Sequence, residues 1–120
     1  QTETGSMRVS TPEATAFDLV RFASSAGHIG NVMTVLHELV EKIDPQALTS
    51  LADLYATSDV QRLGYLLERV GENRLADPLA VRLKLRRYRP ILLAPGQAKG
   101  DAPSDPRWRV IPNETVEVEF

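Results

Sequence analysis

Histidines and carboxylates are the residues of this chain whose types and spacing could bind a metal ion. His37, Glu38 and Glu41 lie on one predicted helix. The first two match the start of the His-Glu-x-x-His pattern, in which two histidines four residues apart bind zinc and the glutamate acts as a base. Glu41 occupies the position of the second histidine, and His28 lies more than two helical turns away. A histidine and a carboxylate at this spacing ordinarily form a surface pair. We therefore expect no metal site and no cofactor.

The chain also lacks the common patterns of nucleophilic and phosphate-transfer catalysis. It contains no cysteine and no Gly-x-Ser-x-Gly turn. The segment Gly27-His28-Ile29-Gly30 is glycine-rich, but it lacks the lysine and the preceding strand that a phosphate-binding loop needs. It fits a short link between two helices better. The sequence thus predicts a protein that is not an enzyme.

A run of cations is the strongest candidate for a binding site, and we call it the basic run. Eight residues contain no acid and five cations, which are Arg82, Lys84, Arg86, Arg87 and Arg89. Arginine binds phosphate through paired hydrogen bonds and Tyr88 could stack or hydrogen-bond, so the run predicts contacts to phosphate or to another partner. The alternative is a solvated face whose cations offset the acidic first half. Arg107 and Arg109 would extend the surface if the predicted sheet lies beside it, whereas Trp108 is expected in the core.

The length and composition are those of one ordinary globular domain. The chain has 120 residues, 42% hydrophobic and 25% charged, so we treat residues 1–120 as a single domain. The net charge of −2 divides into −5 for residues 1–60 (3 Lys/Arg, 8 Asp/Glu) and +3 for residues 61–120 (11 Lys/Arg, 8 Asp/Glu). The lack of cysteine, of an apolar run of ~18–20 residues and of a signal-peptide pattern favours a cytoplasmic protein. Because the chain begins at Gln1, we expect it to be part of a longer protein.

The first two predicted helices have clear signals. Ser10 or Thr11 can act as the N-cap of the first helix, and Glu13 completes a capping box with Ser10. This helix is expected to end near Ser25, before Gly27. The second helix has apolar residues three or four positions apart, which are Ile29, Val32, Met33, Leu36, Leu39, Val40 and Ile43. We expect Leu36 to lie in the core.

The fourth predicted helix contains the sequence RLGYLLE. Ser58 and Gln61 have the capping-box spacing that would start it, and Gly71 would end it. We expect Leu63 to lie in the core. Gly64 lies inside the helix, where a glycine indicates close packing against a neighbouring element.

The remaining segments predict two further helices and a small sheet. Asp44-Pro45 caps a third helix, and Asp77-Pro78 caps a fifth, which changes to extended chain after about two turns. Residues 94–106 form a loop rich in proline and glycine. The predicted strands are Ile91–Leu93, Trp108–Ile111, Thr115–Phe120 and a candidate fourth, Met7–Val9. The expected fold class is α+β, with about five helices followed by a small, mainly antiparallel sheet of three to four short strands.

The order of several motifs points to a known family. STPEATAFDLV occupies residues 10–20, an apolar helix ends at Ile43-Asp44, and RLGYLLE occupies residues 62–68. A tryptophan-bearing strand then precedes Asn113-Glu114-Thr115-Val116-Glu117. In this order the motifs resemble the C-terminal domain of AbiEi-type antitoxins, over about residues 7–119.

The resemblance implies an antitoxin of abortive-infection, type IV toxin–antitoxin systems of bacteria and archaea. In that family a winged helix-turn-helix domain precedes this region and represses the promoter of its own operon. The C-terminal domain neutralises a nucleotidyltransferase-like toxin without a stable complex, and its basic residues are implied to assist DNA binding. No winged helix-turn-helix precedes Gln1, so promoter DNA is expected to bind chiefly through a domain absent here. The alternative is a protein-interaction or oligomerisation domain that binds no nucleic acid; neither hypothesis includes a membrane or a small-molecule substrate.

Overall fold

The computed structural model describes residues 11–26, 29–93 and 103–112 of the chain. These residues form five α-helices, one 3-10 turn at Val40–Lys42 and two short strands. The helices are α1 (Pro12–Ala26), α2 (Ile29–Leu39), α3 (Pro45–Ala52), α4 (Thr57–Arg69) and α5 (Asn73–Leu83), and the strands are β1 (Ile91–Leu92) and β2 (Val110–Ile111). None of the helices in the described ranges is long and apolar enough to cross a membrane.

Local capping starts α1 and α3 where the sequence predicts. The hydroxyl oxygen of Thr11 accepts a hydrogen bond from the Ala14 N–H at 3.1 Å, so Thr11 is the N-cap of α1. Asp44 caps α3 in the same way, accepting from the Ala47 N–H at 2.9 Å. The carboxylate of Glu13 is buried and accepts from the Asp44 N–H at 2.8 Å, so it ties the starts of these two helices together. Ser10, the predicted capping-box partner of Glu13, lies outside the described residues.

The apolar stripe of α2 faces the interior as its periodicity predicts. Val32, Leu36, Val40 and Ile43 are all buried, and they belong to one core that all five helices share. Leu36 and Leu63 are completely buried, which confirms both predicted core positions. The side chains of Ile29 and Met33 lie outside the description.

α4 lies at the centre of the fold, in contact with α1, α5 and β2. Its predicted start at Ser58 is wrong: the helix begins at Thr57 with Ala56 as N-cap, and no side chain caps it. Its predicted end at Gly71 is confirmed. Gly71 has a φ of +86°, and its N–H donates to the Glu68 carbonyl at 3.1 Å while the Glu72 N–H donates to the Leu67 carbonyl at 3.0 Å. This pair of hydrogen bonds is a Schellman motif.

The predicted start of α5 is also wrong. The helix begins at Asn73, four residues before Asp77, and Pro78 lies inside it. A proline at this position removes one backbone hydrogen bond. The earlier start allows a continuous stripe to face the core, and the buried residues of that stripe are Leu75, Ala76, Leu79, Ala80 and Leu83. Burial of this stripe outweighs the lost bond.

The predicted antiparallel sheet of three to four strands is wrong for the part of the chain that the structure describes. β1 and β2 form a two-stranded parallel pair, with Ile91 opposite Val110 and Leu92 opposite Ile111. Residues 93–109 connect the strands, which is long enough for the return path that a parallel pair requires, whereas an antiparallel pair needs only a tight turn. The predicted strands Thr115–Phe120 and Met7–Val9 lie outside the described residues.

Candidate functional site

Two cations of the basic run have partners elsewhere in the fold. Arg82 forms an ion pair with Asp53, at the end of α3. Arg86 donates to the carbonyl oxygens of Ala52 at 2.8 Å and Tyr55 at 3.2 Å. Ala52 is the last residue of α3, and its carbonyl also accepts from the Tyr55 N–H at 3.1 Å, whereas Tyr55 lies in the connection to α4. Arg82 and Arg86 therefore tie α5 and the residues after it to the α3–α4 connection.

The other three cations of the basic run face outward. Lys84, Arg87 and Arg89 are exposed, and no described carboxylate lies within ion-pair distance of their side chains. The reason for the division is that α5 ends at Leu83, so the run crosses from the helix into a turn and then into extended chain. The structure thus separates the five predicted site residues into two that are bound to the α3–α4 connection and three that are exposed without a described carboxylate partner.

Gln61 fixes the end of the basic run to the segment 103–112. Its side-chain amide is buried in α4 and donates to the Arg89 carbonyl at 2.8 Å and to the Trp108 carbonyl at 2.9 Å. The sequence interpretation assigned Gln61 to a helix cap and missed this role. The available signal was its place one turn before Gly64, where the sequence predicts close packing against a neighbouring element.

Trp108 is buried against α4 at Gly64, and both predictions about these residues are confirmed. The Trp108 side chain is fully buried. A Cβ atom built on Gly64 would overlap the indole ring, lying 2.6 Å from its Cε3 atom. The indole N–H donates to the Glu68 carboxylate at 3.2 Å. The ring thus rests directly on the helix backbone, in space that any other residue type at position 64 would fill.

Arg107 does not extend the exposed surface of the basic run. Its guanidinium forms ion pairs with Glu68 and, at 2.7 Å, with Asp77, and it lies 5.3 Å from the centre of the Trp108 ring. Hydrogen bonds to Asp77 and Glu68 raise the pKa of Arg107 above its usual range. The residue therefore joins the segment 103–112 to both α4 and α5.

Arg109 does extend that surface. It is exposed, its Nη1 donates to the Tyr88 carbonyl at 2.9 Å, and its guanidinium lies 4.7 Å from the centre of the Tyr88 ring. Because the Ile91 N–H donates to the Arg109 carbonyl at 2.9 Å, Arg109 is fixed beside the last residues of the basic run. No local sequence signal identifies this placement, because it depends on the pairing of β1 with β2.

Charged side chains buried on α4 serve the fold. Asp59 accepts from Arg21 of α1, with an Nη2–Oδ2 distance of 3.0 Å, and the hydrogen bond to Asp59 raises the pKa of Arg21. Arg62 donates from Nε to the Leu92 carbonyl at 3.0 Å, and burial lowers the pKa of its guanidinium. α4 is therefore connected by polar contacts to the first helix on one side and to β1 on the other.

The predicted absence of a metal site stays an expectation. His37, Glu38 and Glu41 are exposed, and in the described ranges no group of three or more His, Asp and Glu side chains could hold a metal ion. His28 lies outside those ranges. The exposure of His37 agrees with its assignment to the polar face of α2.

The protein is a small, mostly helical domain, and exposed cations lie between the end of α5 and β2. The family model for the AbiEi antitoxin C-terminal domain matches residues 1–69, and the chain belongs to that family. It is thus an antitoxin domain, for which a toxin partner is implied, and domains of this family are generally not enzymes. The matched residues include both STPE and RLGYLLE, whereas the basic run and Trp108 lie beyond them. No curated protein and no solved structure matches the chain.

Proposed function

We propose that this domain neutralises a nucleotidyltransferase-like toxin in the cytoplasm of a prokaryote, as part of abortive-infection defence against phage. It is the C-terminal half of a longer antitoxin whose winged helix-turn-helix domain represses its own promoter. The domain acts without catalysis, cofactor or metal, and no stable complex with the toxin is required. Membership of the antitoxin family supports the proposed neutralisation of a toxin.

We further propose that the domain assists promoter binding through phosphate contacts. The observation that carries this proposal is the outward position of Lys84, Arg87 and Arg89, none of which is paired with a described carboxylate. Exposed cations without a carboxylate partner can bind phosphates and release counterions from DNA. A cation that is already paired with a carboxylate contributes less to the affinity for DNA. Arg82 and Arg86 belong to the same run, but Arg82 contacts Asp53 and Arg86 contacts the end of α3. We therefore propose that these two residues stabilise the fold and do not contact phosphate directly.

A salt titration tests the DNA contribution. Binding of the full-length antitoxin, including its winged helix-turn-helix domain, to a duplex carrying its own promoter is measured by anisotropy between ~50 and ~200 mM salt. Each lost phosphate contact reduces the slope of log affinity against log salt by about 0.9, so Arg87→Ala with Arg89→Ala should reduce it by about 1.8. Lys42→Ala with Arg69→Ala removes two exposed cations elsewhere and should leave the slope unchanged. An equal effect of both double variants would contradict the proposal.

Co-expression tests the antitoxin function separately. The chain should restore growth to cells that express the nucleotidyltransferase-like protein encoded beside its gene. The Arg87→Ala/Arg89→Ala variant should restore growth equally well, because phosphate contacts are assigned to promoter binding and not to neutralisation. Failure of the unaltered chain to restore growth would contradict the proposed neutralisation.

A protein-interaction or oligomerisation domain is the second candidate, and exposed apolar side chains favour it. Val81 and Leu85 lie one turn apart with 62% and 77% of their surfaces exposed, and Leu54 is 79% exposed. In this case the protein would form a dimer, or retain a partner, through these side chains. Loss of association in Val81→Ser with Leu85→Ser, together with an unchanged salt slope in the arginine variant, would favour this second function.

A further inference from the structure

The backbone at Arg109 has a conformation that a residue with a side chain rarely adopts. Its φ is +55°, and among the described residues it is the only non-glycine residue with a positive φ. The conformation is fixed on both sides, because the Arg109 N–H donates to the Asp105 carbonyl at 2.6 Å and its carbonyl accepts from the Ile91 N–H at 2.9 Å. This turn requires a residue in the left-handed backbone conformation, and glycine adopts that conformation at a lower cost in free energy. The turn alone therefore does not explain why the residue is an arginine.

The side chain of Arg109 is positioned as a flat, exposed cation. Its guanidinium lies over the Tyr88 ring and donates to the Tyr88 carbonyl. Tyr88 is itself held in place, because its hydroxyl donates to the Arg107 carbonyl at 3.2 Å. The Asp105 carboxylate accepts from the N–H groups of Arg107 and Trp108, and no described carboxylate pairs with Arg109. The central carbon of the guanidinium thus lies over the Tyr88 ring, and Arg109 is exposed to solvent.

We propose that Arg109 and Tyr88 form a stacking platform for an unpaired nucleotide of a nucleic-acid strand. The base would stack on the outer face of the guanidinium, and the flanking phosphates would contact Arg87 and Arg89. Guanidinium planes and aromatic rings stack on unpaired bases in this way, with little preference for sequence. The inference rests on the proposed phosphate contacts, but it adds a requirement for bases that are not paired in a duplex.

The experiment compares four ligands that differ in their bases. They are a single DNA strand of ~10 nucleotides, the same sequence as RNA, the blunt DNA duplex, and a DNA strand of abasic sites that has the phosphates without the bases. Binding of the full chain to each is measured by anisotropy at ~50 mM salt. Since stacking contributes roughly tenfold in affinity per base, a single strand with bases should bind about tenfold more tightly than the abasic strand. Whichever of DNA and RNA binds more tightly identifies the source of the nucleotide.

Two substitutions separate the side chain from the backbone. Arg109→Gly removes the guanidinium and relieves the left-handed conformation, so it should abolish the tenfold advantage of bases without lowering the melting temperature. Arg109→Lys keeps the charge without the plane, and it should also lose most of that advantage. Arg69→Ala, which removes an exposed cation of α4, is the control and should preserve it.

The outcomes distinguish this inference from the proposed function. Equal binding of the abasic strand and the strand with bases, or an unchanged advantage in Arg109→Gly, would overturn the stacking platform. Either result leaves the duplex salt slope and its dependence on Arg87 and Arg89 as an independent measure of the phosphate contacts. A large drop in the melting temperature of Arg109→Gly would also overturn the inference, because it would assign Arg109 to the stability of the fold.

Discussion

Trp108 reaches the surface of α4 only because residue 64 has no side chain. The ring occupies the place of a Cβ atom, so this contact depends on the absence of an atom as much as on the apolar surface of the ring. The sequence alone indicated that Gly64 meets a neighbour, since glycine inside a helix is otherwise unfavourable. It could not identify Trp108 as that neighbour, because the two residues are joined only by the tertiary fold.

Gly64→Ala is expected to destabilise the protein although alanine has the higher helix propensity. The added methyl group overlaps the Trp108 ring, and overpacking of this kind costs about 1–3 kcal/mol. Urea unfolding measures the loss. Trp108 is the only tryptophan of the chain, so its emission should shift to longer wavelength as the ring is displaced.

A matched substitution on α3 controls for the general effect of alanine. Ser50→Ala changes an exposed helical position and should alter the free energy of unfolding by less than about 0.5 kcal/mol. If Gly64→Ala left both the unfolding midpoint and the emission spectrum unchanged, the close contact between ring and helix would be disproved.

At the scale of the elements, three caps could be predicted from the sequence. The caps predicted at Ser58 and Asp77 were wrong, and the long-range contacts could not be predicted. Thr11, Asp44 and Gly71 act on backbone groups within three residues of themselves, so local sequence contains the information. Gln61 has the local spacing of a capping box, yet its amide bonds a carbonyl 47 residues away. The start of α5 was misplaced because the burial of Leu75 and its neighbours outweighs the strong preference of proline for a first turn.

The candidate site shows the same division. Composition alone located the basic run, but the orientation of its side chains depends on residues about thirty positions earlier. Arg82 pairs with Asp53, and Arg86 reaches carbonyl groups of Ala52 and Tyr55. These partners come close only when α3 and α5 are side by side, which no spacing in the sequence reveals.

Gln61→Leu is expected to destabilise the protein at the junction of α4 with the segment 103–112. The substitution keeps a similar volume but leaves the Arg89 and Trp108 carbonyl oxygens without their donor, which costs about 1–3 kcal/mol when such groups are buried. Urea unfolding provides the measurement, with Gln46→Leu at an exposed position of α3 as the matched control. Equal unfolding midpoints for the two variants would show that the amide contributes nothing to this junction.

At the scale of the whole molecule, residues inside and outside the family match share one core. The match ends at residue 69, within the last turn of α4. The core cluster nevertheless includes Leu79, Leu93 and Trp108 together with Leu36 and Leu63. The two parts of the chain are therefore expected to unfold together.

Leu36→Ala and Leu63→Ala should each lower the free energy of unfolding by about 2–5 kcal/mol, because each removes a fully buried side chain. Thermal unfolding followed by circular dichroism should show a single transition shifted to lower temperature in both variants. Val35→Ala, at a position of α2 that is 42% exposed, is the control and should shift the transition much less. Unchanged melting temperatures for both leucine variants would show that the assigned helix faces are wrong.

The contact between Gly64 and Trp108 also has a consequence during synthesis of the protein. The carboxylate of Glu68 and the indole that it binds are 40 residues apart in the chain. At the usual rate of about 5–20 residues per second, a ribosome needs several seconds to add that length. Because every residue passes through the same exit tunnel, α4 emerges several seconds before the ring that covers its glycine. Proteases and chaperones can therefore reach the nascent antitoxin there, until Trp108 emerges from the exit tunnel.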